Sequence, residues 1–350
     1  MLQRIGYDEG WAVEAARWAA SDATVGRVVR VDRGAASVLA EDGPHRATYG
    51  ADLLRRMAED PLDTPSTGDW VVVRDWPDHR TTVEAVLPRR TALVRRTAGE
   101  QSHGQVLCAN ADRAVIVTAL HPDPALAKLE RLVAVAWESG AEPLIVLTKA
   151  DLVGDAPAVA TEIAADAPGV EVAVTSVVTG VGIARLLEII DGRHTLALVG
   201  SSGHGKSSLV NALVGAEVLT TKRIRDDGRG RHTSVRRELV VLPTGGAVID
   251  TPGLRGVGLV DTERGVARAF ADIEALAASC RFNDCAHLGE PGCAVDAAIE
   301  TGVLPQRRLD AFLKLQRELD WIASRTDARL RAERVREWKR RTREAGRTRT

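Results

Sequence analysis

Short apolar runs fill the first hundred positions, and a longer alternation of strand-like and helix-like segments follows them. Residues 11–20 place apolar side chains at helical spacing and predict a short amphipathic helix. Residues 25–31, 36–39, 70–73 and 82–86 read as short strands. Turns at Asp32-Arg33-Gly34, Glu41-Asp42-Gly43-Pro44 and Trp76-Pro77-Asp78 separate them. Strands of this length and spacing predict a small β-barrel; an oligonucleotide-binding (OB) barrel is one option, and other small barrels share the pattern. From position 114 the texture changes. Apolar runs at 114–119, 143–147, 170–174 and 194–199 alternate with helical patterns at 125–138, 156–165 and 183–190, which predicts a parallel α/β sheet. After position 258 the pattern is helical and ends in Arg-rich sequence. The expected division is a helical extension (1–23), a barrel (24–98), an α/β domain (99–258) and a C-terminal helical module with a basic tail (259–350).

Three motifs sit at ends of the expected strands. Gly200-Ser201-Ser202-Gly203-His204-Gly205-Lys206-Ser207 follows one run and opens a helix at 208–214, the context a phosphate-binding loop needs. Glycines there let backbone N–H groups wrap phosphates at a helix N-terminus. Lys206 is expected to reach the β- and γ-phosphates, and Ser207 to ligate magnesium. Asp250-Thr251-Pro252-Gly253 follows the apolar run 247–249, which puts Asp250 where it can hold the magnesium through water and Gly253 where its N–H approaches the γ-phosphate. Thr148-Lys149-Ala150-Asp151 ends a third run. A carboxylate at Asp151 can accept two hydrogen bonds from guanine that adenine cannot offer. Lys149 would lie along the ring, Thr148 would bond backbone, and Ser176 and Val177 would close the other side of the base. Singly, each of these turns is as readily structural; shared placement on one sheet favours the functional reading.

The order of the motifs is the most telling feature. Base recognition comes first, the phosphate loop second and the Asp250 turn last, whereas an ordinary GTPase opens with its phosphate loop. Loops at the carboxyl ends of parallel strands meet at one crevice whichever strand comes first, so circular permutation preserves the site. Between the phosphate loop and Asp250, residues 221–234 are polar, basic and Gly-punctuated, as expected of a switch. Thr233 is placed to be a second hydroxyl on magnesium, and His232 is a candidate for orienting water, because Leu254 stands where many GTPases carry Gln.

Composition adds a metal and a partner. Cys108 stands apart and reads as a small buried hydrophobe, while Cys280, Cys285, His287 and Cys293 offer three thiolates and an imidazole, a full tetrahedral set for one structural zinc with no open position for catalysis. The net charge of −1 conceals basic stretches at 222–237 and 331–349, the expected nucleic-acid surfaces. The barrel segment has few aromatics for base stacking, so charge is expected to dominate RNA contact. No segment is long and apolar enough for a membrane span and no leader is evident, so a cytoplasmic protein without membrane partners is expected.

The permuted order resembles the RsgA (YjeQ) family of circularly permuted ribosome-biogenesis GTPases. So do the phosphate loop, Gly228-Arg229-Gly230-Arg231-His232-Thr233, Asp250-Thr251-Pro252-Gly253-Leu254-Arg255 and Cys280-Arg281-Phe282-Asn283-Asp284-Cys285-x-His287 followed by Cys293. The likeness covers nearly the whole chain. It implies a multidomain α/β protein with an N-terminal OB-like β-barrel, a circularly permuted P-loop GTPase domain and a C-terminal helical zinc-binding module. It implies zinc on Cys280, Cys285, His287 and Cys293, and nucleotide contacts on Thr148, Lys149, Ala150, Asp151 and from Gly200 to Ser208. It also implies a monomer that acts on the maturing small ribosomal subunit and its rRNA, with GTP hydrolysis stimulated by that subunit. Thr148 in place of Asn, His204 in place of a small apolar residue and Val177 in place of Ala depart from the family pattern. A GTP-gated RNA-binding scaffold with incidental turnover is the alternative from another class; an ATP-using kinase is disfavoured by Asp151.

Overall fold

The structure is a computed structural model that describes residues 1–18, 23–96, 104–121, 124–219, 237–251 and 263–326. The chain divides into two compact units, residues 1–258 and 259–350.

In the first unit, a 3-10 turn at Leu2–Ile5 and helix α1 (Glu9–Ala16) precede a five-stranded closed barrel. Its strands are β1 (Ala23–Asp32), β2 (Ala35–Ala40), β3 (Gly43–Tyr49), β4 (Trp70–Asp75) and β5 (Thr81–Val86), in the order β1-β2-β3-β5-β4. β3 and β5 pair in parallel and every other pair is antiparallel. This is the OB-like arrangement among the small barrels the spacing allowed. Helix α2 (Ala51–Glu59) follows β3 and plugs the barrel with Leu53, which joins Val28, Val38, Val71, Val73 and Val83 in its core. The apolar pattern does not announce β3 or α2. Ala47 is the fully buried residue of β3 and Leu53 that of α2, so polar, outward-facing positions dominate both.

A two-stranded ribbon, β6 (Ala92–Arg96) with β7 (Gly104–Ala109), straddles position 98, so barrel and α/β sheet share a piece of structure there. The six-stranded sheet comprises β8 (Arg113–Ala119), β9 (Glu142–Thr148), β10 (Glu171–Val174), β11 (Thr195–Val199), β12 (Glu238–Val241) and β13 (Ala247–Asp250). Its order is β10-β9-β8-β11-β13-β12, parallel throughout except for β12 against β13. Chain direction across the sheet reverses between β8 and β11, the switch point outside which α/β proteins bind ligands. Val115, Val117, Leu144, Leu196, Leu198 and Val248 form its core with side chains from α5 (Ile183–Ile190) and α6 (Lys206–Val214). Helices α3 (Leu126–Glu138) and α4 (Ala156–Asp166) complete the first unit.

Arg27 and Gly68 are among the residues that bind barrel to sheet. Arg27 on β1 is fully buried, and burial pulls its pKa down to about 10. Its guanidinium donates to the carbonyls of Ile5, Gly68 (3.3 Å) and Asn110 (2.8 Å), and lies 5.0 Å from the Trp70 ring centroid. Such pairing is what makes a buried cation tolerable. Gly68 has φ +94°, and a Cβ there would lie 2.1 Å from the Ala109 carbonyl and 2.8 Å from Ile249 Cδ1. Only glycine permits this approach, which seats the barrel's entry loop against the strand that ends in Asp250.

The second unit is helical: α7 (Glu263–Ala269), α8 (Ala271–Ala277), α9 (Ala294–Glu300) and α10 (Gln306–Thr326). Arg308 is buried against Phe270 and paired with Asp272 through Nη2 at 2.7 Å, and it also donates to the carbonyl of Ala269 at 2.9 Å. No described helix is long and apolar enough to cross a membrane.

Candidate nucleotide and metal sites

β9, β10, β11 and β13 run parallel in one sheet, with β8 between β9 and β11, so their carboxyl-end loops open on a single edge. That edge carries Thr148–Asp151, Thr175–Ser176, the glycine loop and Asp250. The glycine loop leaves β11 at Gly200, where φ is +145° and a Cβ would lie 2.3 Å from the Val117 carbonyl. Gly203 and Gly205 also have positive φ, and α6 begins at Lys206. The loop thus turns its backbone inward ahead of a helix N-terminus, an arrangement suited to phosphate.

Lys206 is buried, and its ammonium donates to the carbonyls of Gly200 and Ser201, both at 2.8 Å. Of the three donors on a lysine, two hold the group in place and one remains for a ligand. Burial lowers its pKa, Asp250 opposes the shift and Lys128 adds to it. Across the site, Ser207 Oγ donates to Asp250 Oδ2 at 3.3 Å. Asp250 Oδ1 is buried and has no hydrogen-bond partner, and burial raises the pKa of this carboxyl. An orphaned carboxylate oxygen beside a serine hydroxyl fits a hard divalent cation such as magnesium. Thr251, next in the chain, is tied to β11 by a hydroxyl bond to the Leu198 carbonyl.

The base-side motif is joined to the phosphate loop directly. Thr148 is buried at the end of β9, and its Oγ1 donates to the His204 carbonyl at 2.7 Å. The shorter side chain therefore makes a backbone bond to the phosphate loop from this position. Lys149 adopts a left-handed conformation (φ 60°), which turns the chain sharply into the 3-10 turn carrying Asp151. Ser176 is buried; its Oγ donates to Asp151 Oδ1 at 2.5 Å and accepts from the N–H groups of Val178 and Thr179 at 3.2 Å. Ala150 N–H donates to the Thr175 carbonyl at 3.2 Å, which closes the two loops on each other. Val177 points outward, 43% exposed.

Among the residues expected from sequence, Thr148 to Asp151, Ser176 and Gly200 to Ser208 come together with Asp250. Gly253, Leu254, His232 and Thr233 lie outside the described residues, as do 222–236 and 331–349 of the two basic stretches. Sequence reading missed Lys128, the third residue of α3, whose ammonium bonds to Ser201 Oγ.

In the second unit, the sulfur atoms of Cys280, Cys285 and Cys293 and one nitrogen of His287 lie within 4.8 Å of one another. Cys280 Sγ is 3.9 Å from Cys293 Sγ and 3.7 Å from His287 Nδ1, which is 3.4 Å from Cys293 Sγ. Zinc–sulfur bonds of about 2.3 Å at tetrahedral angles imply sulfur–sulfur edges near 3.8 Å, so the donor set fits zinc. The 3.9 Å sulfur separation excludes a disulfide. Backbone N–H groups of Ala294 and Asp296 point at Cys280 and Cys293 (3.4 Å each); the Cys280 thiol pKa is lowered, while burial raises that of Cys293. His287 has φ 57°, an uncommon conformation that aims its ring inward. Cys108 is buried on β7, and burial raises its thiol pKa to about 12, as suits a packed hydrophobe.

Of the barrel's few aromatic residues, Trp70 is buried and Trp76 is partly exposed. Trp76, at the β4–β5 turn, has Arg74 4.2 Å from its ring centroid and Arg80 5.8 Å from it.

The RsgA GTPase family model matches residues 86–260. The small ribosomal subunit biogenesis GTPase RsgA of Streptomyces coelicolor is 50% identical over 344 residues, covering 97% of this chain and 92% of that protein. The protein of the same description from Streptomyces avermitilis is 49% identical over 341 residues, covering 96% and 90%. Among solved structures, YjeQ from Thermotoga maritima has the same fold: TM-score 0.61 at 24% identity, over 85% of this chain and 99% of that one. YloQ, described as a circularly permuted GTPase, gives a TM-score of 0.59 at 26% identity, over 85% and 96%.

Proposed function

The chain belongs to the RsgA GTPase family, and from that premise we propose that it binds the maturing small ribosomal subunit, hydrolyses GTP there and leaves after hydrolysis. The observation that carries the nucleotide assignment is the bond from Thr148 Oγ1 to the His204 carbonyl, which fixes the guanine-selecting turn against the phosphate loop. Asp151, already aligned by Ser176, selects guanine; Lys149 covers the ring; the loop from Gly200 to Ser208 holds the phosphates, with Lys206 spanning β and γ. Ser207, Asp250 and Thr233 would hold magnesium, which supplies charge neutralisation at the β- and γ-phosphates when bound. One zinc on Cys280, Cys285, His287 and Cys293 would fold the module that faces RNA. His232 orients the attacking water once the small subunit is bound. That dependence makes the isolated protein slow and the subunit-bound protein fast. The basic stretches at 222–237 and 331–349 contribute salt-sensitive phosphate contacts, and the protein works as a cytoplasmic monomer.

Competition binding tests the base assignment. GTP displaces a labelled guanine nucleotide and ATP does not, and Asp151→Asn weakens GTP binding by a factor on the order of 10². Equal competition by ATP would remove Asp151 as the selector.

A further inference from the structure

We propose that Lys128 is a second phosphate-facing cation of the nucleotide site, acting at the terminal-phosphate end of the glycine loop. This rests on the nucleotide reading above and assigns a residue that reading does not use.

The placement is unusual. Lys128 lies in the first turn of α3, a 13-residue helix with no side-chain cap at its N-terminus and no acidic residue in that turn. The partial positive charge of a helix N-terminus disfavours a lysine there. Its ammonium crosses from the start of α3, the helix after β8, to the loop after β11 and bonds to Ser201 Oγ. It thereby spans the switch point, the crevice where ligands of α/β sheets bind.

Ser201 receives both lysines. Its carbonyl holds Lys206 at 2.8 Å, and its hydroxyl holds Lys128. Two ammonium groups converge on one residue, although the same proximity helps depress Lys206. Two like charges brought together in a half-buried site repel; Asp250 offsets part of this at Lys206, and a bound anion would offset more. Because a phosphate-loop lysine reaches the β- and γ-phosphates, the place where Lys206 is pinned marks the terminal-phosphate end of the loop. Lys128 reaches that end through Ser201, the residue whose carbonyl pins Lys206. A donor aimed there interacts more with a triphosphate than with a diphosphate.

The test compares affinities of the full-length protein for GDP and for a non-hydrolysable GTP analogue, in magnesium, across three variants. Lys128→Met is expected to weaken the analogue about tenfold or more, the size of a lost charge-assisted hydrogen bond, and GDP by less than about threefold. Lys128→Arg should restore most of the difference. Ser201→Ala, which removes the tether and keeps the charge, should lose less than Lys128→Met. The proposal is overturned if Lys128→Met changes both affinities equally or not at all, or if Ser201→Ala reproduces it in full; Lys128 is then a brace for the loop. Failure of the underlying reading appears separately, as unmutated protein that binds ATP as well as GTP.

Discussion

Thr148 and Asp250 show how single side chains make this site. Thr148 is buried with its hydroxyl bonded to the His204 carbonyl, so Thr148→Val keeps the shape and strands that carbonyl. Leaving a buried acceptor unpaired costs about 1–3 kcal/mol. Guanine-nucleotide affinity, followed by fluorescent-nucleotide titration, should fall about tenfold with little loss of the sheet's stability; unchanged affinity would mean that the two loops are held by other contacts. Asp250 works the other way. Burial raises its carboxyl pKa, so above the unfolded carboxylate's pKa the ionised side chain opposes folding of the ligand-free protein. Asp250→Asn should therefore raise the melting temperature of nucleotide-free protein at pH 7, by about 1–4 °C, while lowering GTP hydrolysis by orders of magnitude. A variant that melts lower and still hydrolyses GTP would contradict that role. These pairings were not legible in sequence. The motifs identified the residue types, but which oxygen meets which carbonyl depends on the sheet order. Lys128 escaped notice for the same reason, although a lysine in an uncapped first turn is a signal readable without coordinates.

Elements divide by how strongly burial stamps their pattern. β8, β9 and β11 are buried almost throughout and read as continuous apolar runs, as parallel strands covered on both faces must. β3, α2 and the β6–β7 ribbon expose most of their polar positions or run between domains, and the chain gives little sign of them. The knuckle between α8 and α9 is the extreme case, since it has almost no regular structure and was legible only as ligand spacing. Its donor atoms sit within 4.8 Å of one another. With so little core, this segment should depend on metal. Purified protein should contain one zinc per chain, and His287→Ala or a strong chelator should remove it with a loss of helical circular dichroism from residues 263–326. Retention of that signal in metal-free protein would show that packing around Phe270, Phe312 and Arg308 suffices.

The whole chain turns permutation into a connection. In the usual order the Asp250 strand is followed by further strands of the same sheet; here β13 is the last strand of the sheet in chain order, and the segment after Asp250 leads into the helical unit that carries the Cys/His set. At the other end, Gly68 rests on Ile249, so the barrel also bears on the strand that ends in the magnesium-side carboxylate. The barrel thus packs on the strand that ends in Asp250, and the Cys/His set lies later in the chain than that strand. The motif order foretold the permuted domain, and the family resemblance foretold the three-part plan. The Gly68 contact was invisible, because a single glycine in a loop looks like any other turn. The most direct measurement is steady-state GTP hydrolysis by the full-length protein alone, with isolated large subunits and with isolated small subunits, for the unmutated chain and His232→Ala. The account predicts slow turnover alone and with large subunits, acceleration of at least about tenfold by small subunits, and loss of most of that acceleration in His232→Ala with GTP affinity retained. Equal rates under all three conditions would contradict it.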